Sequence, residues 1–211
     1  MSLETILPIQ EIISHTIQGE GFCTGQLSSF IRLFGCPVAC PFCDTGYATP
    51  ESLKGIRFIK MSIQEILDSV PCRHVVITGG EPTIHRDSLS ELLHHLKEDN
   101  KFVSIETSGL FPLPDWFIWV TLSPKEHLNL VSRVHKDYWE NASELKIVVT
   151  KQQDIDYYLD KIKLFLDRGK PVFLQPEWSK KEQSLEIIMQ FIRTYSEVKL
   201  SVQSHKFLGL R

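Results

Sequence analysis

Three cysteines crowded into one loop constrain this chain more than any other feature of its sequence. They lie in the segment GCPVACPFCDT, from Gly35 to Thr45, with the spacing Cys-x3-Cys-x2-Cys directly after a predicted strand. The chain has five cysteines in 211 residues, an odd number whose clustering does not suit the disulfide framework of a small secreted domain. The spacing therefore favours reduced thiolates that bind metal together.

Cys36, Cys40 and Cys43 suit an iron-sulfur cubane better than a zinc ion. A cubane has four irons, so three thiolates leave one iron open to a ligand that does not come from the protein. A structural zinc site, the first alternative, needs four protein ligands, and Cys23 and His15 stand at spacings typical of no common zinc pattern. A ferredoxin-like electron carrier, the second, needs a fourth clustered cysteine.

The two cysteines outside the loop have no partner pattern. Cys23 and Cys72 are each isolated in the sequence. Free cysteine behaves as a small apolar residue, so we expect both side chains to be buried in the core.

Strand-like and helix-like segments alternate along the chain, which predicts an α/β fold with parallel strands and right-handed crossovers. An eightfold barrel needs about 250 residues, so we expect a shortened, open parallel (β/α) barrel of about six strands, in one domain spanning residues 1–211. The expected strands are apolar throughout, as in a sheet covered on both faces, and comprise 28–34, 74–78, 102–106, 117–121, 145–150 and 172–175. A further strand is expected at 198–202, close to the end of the chain.

Helix positions follow from apolar periodicity and from capping residues. The clearest amphipathic stripe consists of four leucines at helical spacing, Leu89, Leu92, Leu93 and Leu96. Two Ser-x-x-Glu pairs, Ser62 with Glu65 and Ser88 with Glu91, fit the capping box that satisfies free N–H groups at a helix start. Asp154 is expected to cap one helix that carries Ile155, Tyr158, Leu159 and Ile162.

Composition and charge exclude several classes of function. The formal net charge is −3 and no run of Lys or Arg stands out, so nucleic acid is not an expected partner. No apolar run approaches the roughly 20 residues of a membrane-spanning helix, and the N-terminus lacks the pattern of a secretory signal. We therefore expect no membrane contact and a cytoplasmic location.

A second motif, Ile77-Thr78-Gly79-Gly80-Glu81-Pro82, follows the second expected parallel strand. Two adjacent glycines let backbone approach a ligand closely, and Pro82 ends strand pairing. Together with the cysteine loop, this motif resembles the radical S-adenosylmethionine superfamily. The resemblance implies a 4Fe-4S cluster whose open iron binds the methionine part of S-adenosylmethionine. It also places the Gly79 and Gly80 backbone at the methionine amino group, with Glu81 nearby.

Further motifs narrow the resemblance to the 7-carboxy-7-deazaguanine synthase family. They run in order along nearly the whole chain as TIQGEG (16–21), FIRLFGC (30–36), CDT (43–45), ETSG (106–109), SPK (123–125), QP (175–176) and HK (205–206). The family converts 6-carboxy-5,6,7,8-tetrahydropterin to 7-carboxy-7-deazaguanine with loss of ammonia, in queuosine-type biosynthesis. The resemblance implies Mg²⁺, an electron donor of flavodoxin or ferredoxin type, and a homodimer.

The family's site residues can be carried onto matching positions of this chain. Predicted cofactor contacts are Phe42, Cys43, Asp44, Gly79, Gly80, Glu81, Ser108, Ser123, Pro124, Lys125 and Gln175. Predicted substrate contacts are Ile17, Gln18, Gly19, Glu20, Arg32, Thr78, His205 and the terminal carboxylate of Arg211. Predicted metal ligands are Cys36, Cys40 and Cys43 for the cluster and Thr45 for Mg²⁺.

The residue chemistry suits these roles. An amide such as Gln18 can pair with the edge of a pterin ring, and a guanidinium such as Arg32 can bind a carboxylate with two parallel hydrogen bonds. A hydroxyl such as that of Thr45 is the hard oxygen ligand that Mg²⁺ prefers. Taken alone, Gln18 would be read as a turn residue, Arg32 and Lys125 as solvated surface charges and Thr45 as a cap.

Two departures and one rival activity stand beside this interpretation. The family often has Trp where this chain has Phe42, and residues 46–60 are expected to be short and irregular where some members carry an inserted helix. The rival is an activase that uses the same cysteine spacing to generate a glycyl radical on a protein partner. Such an enzyme would not need Gln18, Glu20 or Arg32.

Overall fold

The computed structural model describes residues 2–47, 54–128 and 133–210, and its strands form one nine-stranded sheet. The sheet has the order β3-β1-β2-β4-β5-β6-β7-β8-β9. In chain order the strands are Ile6–Ile17 (β1), Leu27–Leu33 (β2), Ile59–Ser62 (β3), His74–Gly79 (β4), Phe102–Thr107 (β5), Trp119–Leu122 (β6), Glu144–Val149 (β7), Val172–Pro176 (β8) and Lys199–Leu200 (β9). Strand β1 is antiparallel to β2 and β3, whereas β2 and β4 to β9 run parallel.

Helices connect the parallel strands and pack on the sheet. In chain order they are Ile63–Ser69 (α1), Arg86–Glu98 (α2), Lys136–Asn141 (α3), Gln152–Tyr157 (α4), Leu159–Asp167 (α5), Lys181–Thr194 (α6) and Ser204–Leu208 (α7). The four leucines of the predicted stripe all lie on α2 and are fully buried, which confirms that this face covers the sheet. In the described part of the chain, no helix has the length and apolar character needed to cross a membrane.

The predicted open, shortened (β/α) barrel is confirmed. All six expected parallel strands are present, with ends shifted by one or two residues, and they correspond to β2, β4, β5, β6, β7 and β8. The expected strand at 198–202 is reduced to the two residues of β9. Strands β1 and β3 were not expected, and they add an antiparallel edge beyond β2.

The capping predictions had mixed outcomes. Ser62 and Glu65 form the expected capping box at the start of α1. The capping box predicted for Ser88 and Glu91 was wrong. A short 3-10 helix, Pro82–His85, leads directly into α2, which begins at Arg86, so Ser88 lies inside the helix. The Glu91 carboxylate instead accepts a hydrogen bond of 2.6 Å from the Thr5 hydroxyl.

The helix predicted at Asp154 is in fact two helices. Asp154 lies inside α4, where its carboxylate accepts hydrogen bonds from the Thr150 N–H at 2.7 Å and the Lys151 N–H at 3.1 Å. It therefore satisfies amides at the helix start without being the N-cap residue. The chain bends at Tyr158, after which α5 begins.

A buried histidine links three parallel strands within the sheet. His74 of β4 lies 2.7 Å from the Ser28 hydroxyl through Nδ1 and 2.8 Å from the Ser104 hydroxyl through Nε2. Burial lowers the pKa of His74 to about 4, because a charged imidazolium loses its hydration inside the protein. His74 is therefore neutral in the folded chain at neutral pH.

The carboxyl ends of the parallel strands meet at one rim of the sheet, which positions the site. The cysteine loop follows β2, the Gly-Gly motif ends β4, Ser108 follows β5 and Ser123 follows β6. In open α/β sheets this edge is where ligands bind.

Candidate active site

A cavity of about 390 Å³ opens at this rim and collects nearly all of the predicted site residues. The predicted residues that line it are Ile17, Gln18, Gly19, Glu20, Arg32, Cys36, Cys40, Phe42, Cys43, Asp44, Thr45, Thr78, Gly79, Gly80, Glu81, Ser108, Ser123, Lys125, Gln175 and His205. Pro124 is buried and is not among the lining residues. Arg211 lies outside the described residues.

The three cysteine side chains face the cavity from one loop and are half-buried. Burial raises the pKa of Cys36 to about 11 and also raises the pKa of Cys40. Metal binding to these thiols therefore releases protons, because the thiolate is the ligand. The donor set fits a 4Fe-4S cluster, since three soft sulfurs on one loop can each hold a different iron.

A single metal ion makes a different demand on geometry. Within residues 2–47, 54–128 and 133–210, no group of three His, Cys, Asp or Glu side chains is placed to hold one metal ion together.

The cysteine loop turns through residues of positive φ, with Gly35 at 101° and Ala39 at 52°. A non-glycine residue rarely adopts this conformation, so Ala39 is held there by the loop around it.

The two glycines of the second motif are required by a close approach of backbone to the cysteine loop. A Cβ on Gly80 would lie 1.9 Å from the Gly35 carbonyl oxygen and 2.8 Å from the Cys36 Cβ. The Gly80 N–H donates to the Leu33 carbonyl at 3.0 Å, and the Glu81 N–H donates to the Gly35 carbonyl at 2.8 Å. These glycines therefore attach the end of β4 directly to the segment that carries Cys36.

Glu81 is a buried carboxylate that joins the ends of two strands, β4 and β5. It is 1% exposed and accepts hydrogen bonds from the hydroxyls of Thr83 at 2.7 Å and Thr107 at 2.6 Å. It also accepts from the Ser108 N–H at 2.8 Å and from the Ser108 hydroxyl. A buried polar group is tolerated only when it is hydrogen-bonded in this way, so Glu81 fixes the cavity wall between β4 and β5.

Lys125 is not the solvated charge that it would be if read alone. Its ammonium donates to the Ser123 hydroxyl at 2.7 Å and to the Ser123 carbonyl at 2.5 Å. Burial lowers the pKa of Lys125, while the neighbouring Cys40 acts in the opposite direction. A cation beside Cys40 favours the thiolate form that a cluster requires.

A buried ion cluster at one side of the cavity was missed by the sequence analysis. The Lys146 ammonium of β7 forms an ion pair with Glu20 and lies 3.5 Å from Glu106 Oε1. The Glu106 carboxylate also accepts from Gln18 Nε2 and from the Thr78 hydroxyl, both at 3.2 Å. The cluster therefore ties two predicted substrate contacts to the barrel wall.

Opposite charges dominate the electrostatics of this cluster. Burial alone would raise the pKa of Glu20, but the charge and hydrogen bond of Lys146, with a hydrogen bond from Gln203, bring it to about 2. Burial alone would lower the pKa of Lys146, but Glu106 and Glu20 hold it above its ordinary value. Glu20 and Lys146 are therefore both charged near neutral pH.

The loop after β1 and the C-terminal helix close the open side of the barrel together. A Cβ on Gly19 would lie 2.1 Å from His205 Nδ1, so only glycine fits here without displacing the imidazole. The Gly19 carbonyl accepts from the Ser204 N–H at 3.1 Å and the Ser204 hydroxyl at 3.2 Å. Lys206 then forms a 3.0 Å ion pair with Asp44 of the cysteine loop.

Arg32 and Thr45 are brought together in the cavity. Arg32 Nη1 lies 3.4 Å from the Thr45 hydroxyl, and its Nε lies 3.5 Å from Glu11 Oε2. Both contacts are at the long end of the hydrogen-bond range. These two contacts therefore hold the Arg32 guanidinium only weakly at the cavity wall.

The remaining cysteines and the segment after the cysteine loop differ partly from expectation. Cys72 is buried as predicted, but Cys23 is half-buried, because it lies on the loop between β1 and β2 and not in the core. Burial nevertheless raises the pKa of Cys23 to about 11. Of the segment 46–60, residues 48–53 lie outside the described part, and Ile59 and Lys60 belong to β3 and are not irregular.

Comparison with known proteins agrees with this geometry. The radical SAM superfamily profile matches residues 30–176, a stretch that includes the cysteine loop and the Gly-Gly motif. The chain belongs to the radical SAM superfamily. It is therefore a radical S-adenosylmethionine enzyme that uses a 4Fe-4S cluster and S-adenosylmethionine.

Similarity to individual proteins places the chain more narrowly. It is 36% identical over 204 residues to the 7-carboxy-7-deazaguanine synthase of a Synechocystis species, covering 97% of this chain and 93% of that protein. It is 35% identical over 230 residues to the Escherichia coli K12 protein of the same name, covering 96% and 98%. The crystal structure of QueE from Escherichia coli superposes with a TM-score of 0.77 at 33% identity, over 93% of each chain. The chain belongs to the 7-carboxy-7-deazaguanine synthase family.

Proposed function

We propose that this enzyme converts 6-carboxy-5,6,7,8-tetrahydropterin to 7-carboxy-7-deazaguanine with loss of ammonia, a step in queuosine-type deazapurine biosynthesis. The observation that carries the proposal is that one cavity joins the cysteine loop and Gly-Gly motif to the Gln18, Arg32 and His205 set. A glycyl-radical activase would need the first group alone. The family to which the chain belongs supports the same reaction.

The cofactor half of the cavity consists of the cysteine loop and the ends of β4 to β8. We assign the cluster to Cys36, Cys40 and Cys43, which would hold it by their thiolates. Bound there, the group would supply the one electron that splits the sulfonium C–S bond of S-adenosylmethionine, giving methionine and a 5′-deoxyadenosyl radical. Proposed S-adenosylmethionine contacts are Phe42, Cys43, Asp44, Gly79, Gly80, Glu81, Ser108, Ser123, Pro124, Lys125 and Gln175. Of these, the Glu81 carboxylate also accepts five hydrogen bonds from the protein, so it positions Ser108 and the β5 end as well.

The substrate half is formed by the loop after β1 and by α7. The Gln18 side chain is 6% exposed; its Nε2 donates to Glu106 and its Oε1 accepts from the Glu20 N–H at 3.1 Å. These bonds hold the amide in one orientation, as specific pairing with a ring edge requires. The remaining proposed contacts are Ile17, Gly19, Glu20, Arg32, Thr78, His205 and the Arg211 carboxylate.

Thr45 and Arg32 form the proposed carboxylate and Mg²⁺ side of the cavity. Because the Thr45 hydroxyl lies 3.4 Å from Arg32 Nη1, a substrate carboxylate bound by the guanidinium would lie beside that hydroxyl. Mg²⁺ takes few protein ligands and completes its shell with waters and substrate oxygens. One hydroxyl next to a bound carboxylate suits this demand.

The wider setting of the enzyme is also proposed from the family. We propose one domain over residues 1–211, a cytoplasmic location, a homodimer and an electron donor of flavodoxin or ferredoxin type. Light scattering on the purified protein measures the oligomeric state. Replacing dithionite by a reduced flavodoxin in the turnover assay tests the donor.

The test of the proposed function is an anaerobic turnover assay. Reconstituted protein is incubated with S-adenosylmethionine, reductant, Mg²⁺ and the carboxypterin, and mass spectrometry measures 7-carboxy-7-deazaguanine and 5′-deoxyadenosine. We expect both products, with the deazaguanine dependent on the pterin. Cleavage of S-adenosylmethionine without any deazaguanine would contradict the substrate but not the superfamily.

A charge-matched pair of variants sharpens this assay. Arg32→Met removes the proposed carboxylate donor, whereas Arg57→Met removes an exposed arginine that does not line the cavity. We expect Arg32→Met to raise the pterin KM by at least about tenfold, since a charged hydrogen bond contributes about 1.5–3 kcal/mol, while S-adenosylmethionine binding stays near wild type. Equal KM values in the two variants would remove Arg32 from the substrate site.

A further inference from the structure

Tyr47 lies just past the cysteine loop and contacts the residue that begins it. The Tyr47 side chain is 2% exposed. Its hydroxyl accepts a hydrogen bond of 2.8 Å from the Gly35 N–H and donates one of 2.9 Å to Gln10 Oε1 on β1. One phenol therefore joins both ends of the loop to the antiparallel edge of the sheet.

Gly35 is held on both sides of its backbone. Its N–H bonds to Tyr47, and its carbonyl accepts from the Glu81 N–H at 2.8 Å. The carbonyl of the preceding Phe34 lies 2.6 Å from His85 Nε2, so that nitrogen carries the proton. These contacts fix the backbone up to Cys36, because a residue bonded through both N–H and C=O cannot rotate independently.

Of the residues that make these contacts, Tyr47 is the nearest in sequence to the last cysteine, Cys43. The contacts of Glu81 and His85 come from the Gly-Gly motif and the 3-10 helix after it. Within the loop, the Cys43 N–H donates to the Cys40 carbonyl at 3.1 Å, which forms a turn between the second and third cysteines. The Tyr47 hydroxyl closes the loop at its base.

We propose that Tyr47 is a positioning residue for the iron-sulfur cluster: its hydroxyl closes the Gly35-to-Tyr47 loop before any metal binds, and so sets the spacing of the three thiols. Preorganised ligands bind a metal more tightly, because less chain entropy is lost on binding. The proposal rests on the cluster that the superfamily carries and not on the pterin, so failure of the pterin assay would leave it unaffected.

The test compares two buried tyrosines. Tyr47→Phe keeps the ring and removes the hydroxyl. Tyr158→Phe is the matched control, because the Tyr158 hydroxyl also accepts a backbone N–H, that of His127 at 3.2 Å, and the residue is 1% exposed and does not line the cavity.

Two measurements separate positioning from general stability. NMR hydrogen exchange on metal-free protein measures protection of the Gly35 amide, and chelator challenge of reconstituted protein measures the rate of iron release. We expect Tyr47→Phe to speed both by about three- to tenfold, the factor that one lost hydrogen bond gives. Tyr158→Phe should leave both at wild-type values, although urea unfolding should show a comparable loss of stability in the two variants.

Three outcomes would overturn the proposal. The first is wild-type exchange and iron release in Tyr47→Phe, and the second is equal acceleration in the Tyr158 control. If Tyr47→Phe does not fold, Gln10→Leu replaces it, since Leu removes the acceptor that orients the phenol. The third outcome that would overturn the proposal is iron release at the wild-type rate in Gln10→Leu.

Discussion

Replacing Lys146 by an uncharged residue should lower the free energy of unfolding strongly. Its side chain is 5% exposed and it faces two carboxylates, Glu20 and Glu106. At the 3.5 Å separation from Glu106 and an effective dielectric constant of about 20, that attraction is worth about 4 to 5 kcal/mol before desolvation is subtracted. Lys146→Met keeps much of the volume but leaves two largely buried carboxylates without a cation. Breaking such a cluster costs about 3–5 kcal/mol of unfolding free energy.

The pH dependence of this loss follows from Glu20. In the native protein its pKa of about 2 lies below the value of the unfolded chain, so its contribution to stability is present above about pH 4.5 and is lost as pH falls toward 2. Without Lys146, only the Gln203 hydrogen bond and the nearby His205 oppose burial, which is the largest influence on Glu20, so we expect the Glu20 pKa to rise above the unfolded value. The folded variant then takes up a proton first, so its deficit relative to wild type shrinks as pH falls from 7 to 5.

Urea unfolding of metal-free protein at pH 5, 6 and 7 measures both effects. Lys163→Met, an exposed substitution on α5, serves as the control and should stay within about 0.5 kcal/mol of wild type. The double variant Lys146→Met/Glu20→Gln should recover stability at pH 7, because it removes one of the two facing charges. A loss below about 1 kcal/mol at pH 7, or one that does not change with pH, would refute the reasoning.

Three further predictions concern the interior and the cofactors. Because the His74 pKa of about 4 lies below that of the unfolded chain, stability should fall as pH drops from about 6.5 to 4, and His74→Gln should flatten this slope in urea titrations. Thr45→Val should weaken the response of turnover to added Mg²⁺ while iron content stays unchanged; an unaltered Mg²⁺ titration would place the ion elsewhere. Single alanine variants of the three loop cysteines should abolish 5′-deoxyadenosine formation, measured by chromatography, whereas Cys72→Ala should retain it. Normal cleavage by any of the three would show that the lost thiol is not a ligand.

The parallel part of the fold could be predicted because its signals are local. Each parallel strand is a short apolar run, and the α2 stripe repeats at helical spacing over eight residues. Strand β1 alternates buried Leu7 and Ile9 with half-exposed neighbours, a pattern that could have revealed it. Its pairing with β3 could not have been found in this way, since Ile6 and Ser62 are far apart in sequence.

The site residues that could be predicted are likewise those that are close together in the sequence. The cysteine loop and the Gly-Gly motif are contiguous, so their chemistry can be read directly. In the sequence, Lys146 is a single charged residue in a strand. Its partners Glu20 and Glu106 lie 126 and 40 residues away, so their pairing could not be predicted. The available signal was a charge inside an otherwise apolar run, which demands a buried partner. The close approach of Gly80 to the Gly35 backbone is likewise a contact that no local pattern identifies.

The contact of Gly19 with His205 and Ser204 has a consequence for how the protein is made. Among the residues that form the cavity, those of α7 leave the ribosome last, yet they hold a loop that was synthesised among the first. During translation the β1 and β2 hairpin and the cysteine loop can form early, while the wall at Gly19 stays open for want of its partner. This side of the cavity, next to the cysteine thiols, can therefore close only after α7 has been synthesised.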